Sequence, residues 1–245
     1  MIAHRGGGAR APENTIEAMR LAIADGAEGL EFDVRLSADG EVVVIHDPTV
    51  DRTTDGAGTV ERMTLAELTS LDAGFRFSAR PLVPVTPIKH RIPTLDAVLR
   101  SFPGISLLIE IKAPLAASGA RRLIEKHGAE DRCLVDSYSS TALNVFRDSR
   151  IAKGASRSGV MGLLARSFMG APSPVPGDVS ALSIPRTYNG VPLPVRHLAR
   201  TMRSAGKPTH IWTVNDPDEA RAMWGVGASG IITDDVPLIL AGRSR

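Results

Sequence analysis

The sequence predicts an α/β fold: a (β/α)8 TIM barrel with a β-hairpin excursion and a small insertion after the second strand. Three observations predict it. Eight apolar runs begin near residues 2, 29, 106, 132, 160, 179, 209 and 230. Most of them alternate with stretches of helical period, the pattern of parallel strands joined by right-handed crossovers. The chain has 245 residues, a usual length for eight such units. The competing fold, an open doubly wound sheet, lacks its Gly-x-Gly-x-x-Gly turn after a strand. Residues 1–245 read as a single domain, with 48–93 as an insertion within it.

In chain order, Ile2-Ala3-His4-Arg5 reads as a short first strand. It ends in the glycine-rich loop Gly6–Pro12. Asn14 is the expected N-cap of the first helix, with Glu17 as its capping-box partner. The next stretch, Glu31 to Asp47, carries two β-branched-rich arms around Asp39-Gly40, a strong hairpin signal. A fold about that dipeptide sets Asp33 opposite His46, and Glu31 shares a face with Asp33. Residues 48 to 93 are less regular. Pro48, Pro81, Pro84, Pro87 and Pro93 favour extended backbone, while Thr64 and Glu67 form a capping box before a short helix. A long irregular stretch of this kind suits a substrate-shaping loop or a small inserted subdomain.

Regular alternation returns at Thr94, the expected cap of helix 95–102. Strand 105–112 ends in Glu110-Ile111-Lys112. Helix 119–126, strand 132–138 and helix 141–148 follow, then an expected strand over 159–164. A loop near Pro172–Gly177 precedes strand 179–184. Helix 195–205, strand 209–214, a helix capped at Asn215-Asp216, and strand 230–234 complete the count. An apolar tail runs over 236–241.

Composition narrows the function classes. Hydrophobic residues make up 43% and charged residues 23%, ordinary for a chain that buries a full core. The net charge is +2 and basic residues are dispersed, apart from Arg243-Ser244-Arg245, so nucleic acid is not an expected partner. Cys133 is the single cysteine, which excludes an internal disulfide and a thiolate zinc site. No apolar run reaches the length of a membrane span. The first residues lack a secretory-signal pattern, so a cytoplasmic location is expected.

Barrel active sites lie at the C-terminal ends of the strands. The polar residues expected there are His4 and Arg5, Glu31 and Asp33, Glu110 and Lys112, Tyr138, Trp212 and Asp234, with His46 returned by the hairpin. Glu31, Asp33 and Glu110 offer oxygen ligands to one divalent cation, Mg²⁺ or Ca²⁺. Arg5 and Lys112 suit phosphate oxygens. His4 and His46 can exchange protons near neutrality. Trp212 is either partial core or a platform for substrate. Cation, phosphate clamp and acid–base pair together suit phosphodiester hydrolysis. No Gly-x-Ser-x-Gly elbow or Walker loop supports the serine-hydrolase or nucleotide-cleaving alternatives.

These residues stand in familiar company. His4-Arg5-Gly6, Ala11-Pro12-Glu13-Asn14-Thr15, Glu31-Phe32-Asp33-Val34, His46-Asp47-Pro48 and Asp51-Arg52-Thr53-Thr54-Asp55-Gly56 resemble the glycerophosphodiester phosphodiesterase family. So do Glu110-Ile111-Lys112, Trp212-Thr213-Val214-Asn215 and Ile231-Ile232-Thr233-Asp234. The resemblance implies a barrel of the phosphatidylinositol-phospholipase-C-like kind, with a divalent metal on Glu31, Asp33 and Glu110. It implies His4 and His46 as the acid–base pair and Arg5 and Lys112 on the phosphate. It implies hydrolysis of small glycerophosphodiesters to glycerol 3-phosphate and an alcohol, and makes 48–93 an insertion that shapes the glycerol side. The chain departs from the family pattern at Ser137-Tyr138-Ser139 and over 152–194, the part expected against the alcohol half. The alternatives are a phospholipase-D-like member that releases a cyclic phosphate from lysophospholipid or sphingolipid, and a barrel that binds a phosphorylated polyol without turnover.

Overall fold

The computed structural model describes residues 1–78, 89–168 and 175–243. Eight strands form the parallel barrel: β1 (Ile2–Ala3), β2 (Gly29–Leu36), β4 (Ser106–Ile111), β5 (Cys133–Asp136), β6 (Ala152–Lys153), β7 (Leu182–Pro185), β10 (Thr209–Trp212) and β11 (Gly230–Thr233). β3 (Val42–Val44) pairs antiparallel with β2, and β8 (Thr187–Tyr188) pairs with β9 (Val191–Pro192) as a separate hairpin. The helices are α1 (Ile16–Ala24), α2 (Leu65–Ser70), α3 (Leu95–Ser101), α4 (Ala116–Lys126), α5 (Ser140–Asn144), α6 (Arg157–Phe168), α7 (Val195–Ser204), α8 (Pro217–Val226) and α9 (Val236–Arg243). None among the described residues is long and apolar enough to cross a membrane.

The strand order is β6–β5–β4–β2–β1–β11–β10–β7. Its two ends meet where Gly154 bridges Ala181 in parallel and Ser180 N–H donates to Lys153 O at 2.7 Å. Alternation along each strand divides the side chains. Leu30, Phe32 and Val34 join Leu107, Ile109 and Val135 in the main core, against Met19 of α1, Leu99 of α3 and Ile124 of α4. Glu31 and Asp33 therefore face the other way, into the barrel mouth. A second buried cluster lies beneath the excursion, where Val43 and Ile45 pack with Val50, Val60, Leu68, Ala73 and Ile92. Thus part of 48–93 carries a small core of its own rather than an open loop.

Three expectations change. First, 159–164 is helix, inside α6, and the barrel strand before it is the two-residue β6. An apolar run of that length has no periodicity to separate strand from helix. Here Leu163 and Leu164 are buried while Met161 and Arg166 face solvent, and Ser156 Oγ accepts the Gly159 N–H at the helix start. Second, the hairpin register is one residue off: Val34 pairs with Val44 and the Ile45 N–H donates to Asp33 O. The Ser37 N–H donates to Glu41 O, and Gly40 takes φ 83°. The loop thus has three residues ending in a left-handed glycine, not two. Third, Thr15 rather than Asn14 caps α1, accepting from the Ala18 N–H. Asn14 sits at φ 59° with its side chain turned to the barrel.

The caps expected at Thr64, Thr94 and Asp216 are present, the first as a full capping box. The expected prolines at 81, 84, 87 and 172, and the terminal Ser244-Arg245, lie outside the described residues.

Candidate active site

β1 ends in a tight turn, His4–Gly6, in which Arg5 adopts φ 49°. That backbone turns the Arg5 N–H onto Glu31 Oε2 at 2.8 Å. Glu31 and Asp33 project from β2, and Glu110 from β4, where Asp33 and Glu110 are parallel-register neighbours. One carboxylate oxygen from each of the three lies within 4.8 Å of the other two. Asn14 holds the remaining side of Asp33, donating to Oδ2 at 3.0 Å. Lys112 Nζ lies 2.8 Å from Glu110 and 3.2 Å from Asp33.

The electrostatics follow from burial. Glu31 is 4% exposed; loss of water, then the Asp33 charge beside it, push its pKa well above the usual carboxylate range. Burial opposes the charge on Lys112, but Asp33 and Glu110 outweigh it and raise its pKa. The three carboxylates present hard oxygen donors only, a set that could hold a divalent cation.

Two histidines flank the carboxylates. His4 Nδ1 is 2.6 Å from Asp234 Oδ1, and its Nε2 is 4.0 Å from Glu31 Oε2. Asn215 donates to the other Asp234 oxygen at 2.7 Å. Burial works against charge on Asp234, yet these bonds hold its pKa below the ordinary value. His46 follows β3, and its Nδ1 is 2.6 Å from Asp47 Oδ1. Against the cost of burial, Arg52 and His46 lower the Asp47 pKa to about 2. Each imidazole is thus held through Nδ1 by an ionised carboxylate, which leaves Nε2 for proton transfer.

His4, Arg5, Glu31, His46, Glu110, Lys112 and Trp212 line one cavity of about 710 Å³. Asp33, 1% exposed, lies beneath them. The expected residues therefore come together, with a detail that spacing does not supply. The Arg5 guanidinium bonds Glu13 at 2.9 Å and its Nε, buried, has no hydrogen-bond partner among the described residues. Arg52 of the excursion spans Glu13 and Asp47.

Sequence reasoning missed Asp136. It stands in register beside Glu110 and lines the same cavity. Burial, then the nearby Glu110 charge, raise its pKa to about 7. It sits so close to Gly154 that a Cβ there would come within 2.7 Å of its carboxylate. The available signal was its place: a lone acid at the end of an apolar strand, level with Glu110.

Comparison with known proteins places the chain in a family. A family model described as the glycerophosphoryl diester phosphodiesterase family matches residues 4–238. A glycerophosphodiester phosphodiesterase of Caldanaerobacter subterraneus subsp. tengcongensis is 35% identical, over 96% of this chain and 93% of that protein. A glycerophosphodiester phosphodiesterase from Agrobacterium tumefaciens superposes with a TM-score of 0.76 at 28% identity, covering 98% of each chain. An Oleispira antarctica phosphodiesterase, solved with its product sn-glycerol-3-phosphate, gives 0.78 at 26% identity, covering 100% of this chain and 96% of its own. Matched nearly end to end in sequence and in barrel, the chain belongs to the glycerophosphoryl diester phosphodiesterase family and is an enzyme of that family.

Proposed function

We propose that this protein hydrolyses small glycerophosphodiesters to glycerol 3-phosphate and an alcohol, using His4 and His46 as the acid–base pair beside a divalent cation. The observation that carries the reading is two carboxylate-held histidines lining one cavity with a cluster of three acids at its wall and floor. Glu31, Asp33 and Glu110 are the residues that would hold Mg²⁺ or Ca²⁺. Bound there, the ion would offset charge on phosphate oxygens and on the attacking oxygen.

The chain's own groups account for the rest. Lys112 and the Arg5 guanidinium, which line the cavity, are donors for the phosphate, the first as a point charge and the second as a planar fork. His4 Nε2 takes the proton of the attacking oxygen, either water directly or a glycerol hydroxyl whose cyclic phosphate water then opens to glycerol 3-phosphate. His46 Nε2 gives a proton to the departing alcohol oxygen. Asp234 and Asp47 fix the two rings and favour their charged forms when each carries the extra proton. Trp212 offers a flat wall to the substrate. The product bound by the Oleispira antarctica phosphodiesterase, sn-glycerol-3-phosphate, favours this reading over release of a cyclic phosphate.

Phosphorus NMR of glycerophosphocholine turnover tests it. The expected product is glycerol 3-phosphate, and His4→Ala and His46→Ala each lower kcat by about 10²–10⁴-fold. A cyclic phosphate as the end product, or undiminished turnover in His46→Ala, contradicts the proposal.

A further inference from the structure

Beside the catalytic cavity, on the side away from the β2–β3 excursion, a second groove of about 640 Å³ opens to solvent. One stretch of its wall is aliphatic: Val160, Met161 and Leu164 from one face of α6, Ile184 and Pro185 from β7, and Leu193 after β9. Tyr188 of β8 closes one side. The two spaces are continuous, because Glu110, Asp136, Tyr138, Ser183 and Trp212 line both. Tyr138 and Met161, half exposed, frame the mouth. Buried apolar surface placed next to a polar reacting centre is what a ligand with one charged and one apolar part requires.

Charge decides which ligand. Arg157, the cation on the groove wall, stacks over Tyr188 with its guanidinium 5.8 Å from the ring centroid. The two acids lie at the end shared with the catalytic cavity, and Glu110 is already paired with Lys112 at 2.8 Å. Beyond the shared end, where Tyr138, Trp212 and the two acids stand, a choline or ethanolamine head would meet aliphatic carbon and the like charge of Arg157, which covers the Tyr188 ring.

We infer that this groove receives the alcohol half of the phosphodiester and that the preferred alcohol carries an aliphatic chain. The inference rests on the proposed hydrolysis and specifies its leaving group. In that step the attacking oxygen bonds to phosphorus and the bond from phosphorus to the alcohol oxygen breaks. The alcohol oxygen takes the proton given by His46, the attacking oxygen yields one to His4, and the chain departs through the groove. Contact with the chain, remote from the reacting atoms, is expressed as a gain in kcat/KM.

A homologous series of glycerol-3-phosphoryl alkyl esters tests this, with methyl, butyl and octyl alcohols beside glycerophosphocholine. A methylene fully buried is worth about a fourfold gain. With a groove open on one side, kcat/KM is expected to rise at least tenfold from methyl to octyl, and octyl to exceed choline. Met161→Glu, at a half-exposed position, is expected to lower the octyl-to-methyl ratio at least fivefold. A ratio within twofold across the wild-type series, or a choline ester turned over faster than octyl, overturns the inference while leaving the hydrolysis standing. Turnover of none of the esters overturns both.

Discussion

At the scale of single residues, His210 sets a limit on stability in acid. It lies on β10 two residues before Trp212, on the same barrel-facing side, packed against Gly230. Its Nδ1 is buried without a hydrogen-bond partner among the described residues. Burial depresses its pKa to about 4, against about 6.5 in an unfolded chain. Between those values the unfolded state binds the extra proton and the folded state does not. Stability contributed by the neutral ring is therefore complete above about pH 6.5 and falls as pH drops toward 4. The loss attributable to this ring between pH 7 and pH 5 is about 2 kcal/mol. Urea midpoints of wild type and His210→Gln at the two pH values check it: the variant should lose less stability than wild type by that amount, and equal losses would contradict the assignment.

Much of the site was legible at this scale because strand alternation is rigid. Glu31 with Asp33, and Glu110 with Lys112, are spaced by two and must share a face of a strand. Two residues were not legible. Asn14 precedes a helix and has the propensity of a cap, but the buried Asp33 carboxylate claims its side chain, and Thr15 takes the cap. Asp136 lies within the expected strand 132–138, two residues short of its expected end at Tyr138, and nothing local marks it as a site residue. That its carboxylate is buried depends on Gly154, which is eighteen residues downstream and joins it only through strand pairing.

At the scale of elements, the excursion and α6 differ from the pattern in informative ways. The excursion is held by its own small core, in which Leu68 is 0% exposed. Ile45 of that core directly precedes His46, so the mini-core fixes where the histidine stands. Leu68→Ala is expected to cost roughly 2–5 kcal/mol. Hydrogen exchange should localise the damage, with amides from Val43 to Ala73 losing protection while β4 and β5 keep theirs. Uniform loss across the barrel would show that the two clusters are one unit. The helix α6 escaped detection because Val160, Met161, Leu163 and Leu164 form a short apolar run. Helical burial separates Leu163 and Leu164 from solvent-facing Met161, and that separation appears once α6 packs on the barrel. The hairpin slipped by one because Asp39-Gly40 suggests a two-residue turn, whereas the Ser37–Glu41 pairing makes a three-residue loop. The histidine remains beside the acids because His46 lies beyond the paired arm.

At the scale of the whole molecule, closure of the barrel turns distance along the chain into proximity. His4 and Asp234 are 230 residues apart in sequence and meet at 2.6 Å, because β1 pairs with β11. β2 and β4 pair across about seventy intervening residues, the insertion among them, and set Asp33 beside Glu110. The count of eight strands was readable even with one strand misplaced, since β6 precedes the expected position by a few residues and keeps its place in the order. What the count could not convey is the second groove, which needs α6, β7 and the β8–β9 hairpin assembled around the same mouth. The β2–β4 pairing gathers Glu31, Asp33 and Glu110 about one point, the place proposed for a divalent ion in phosphodiester hydrolysis. The rate of glycerol 3-phosphate release from protein stripped with a chelator, before and after Mg²⁺ or Ca²⁺ is restored, tests that directly. At least a hundredfold loss on stripping, and recovery with one of the two ions, is the expected result; full turnover in excess chelator would rule out the metal site.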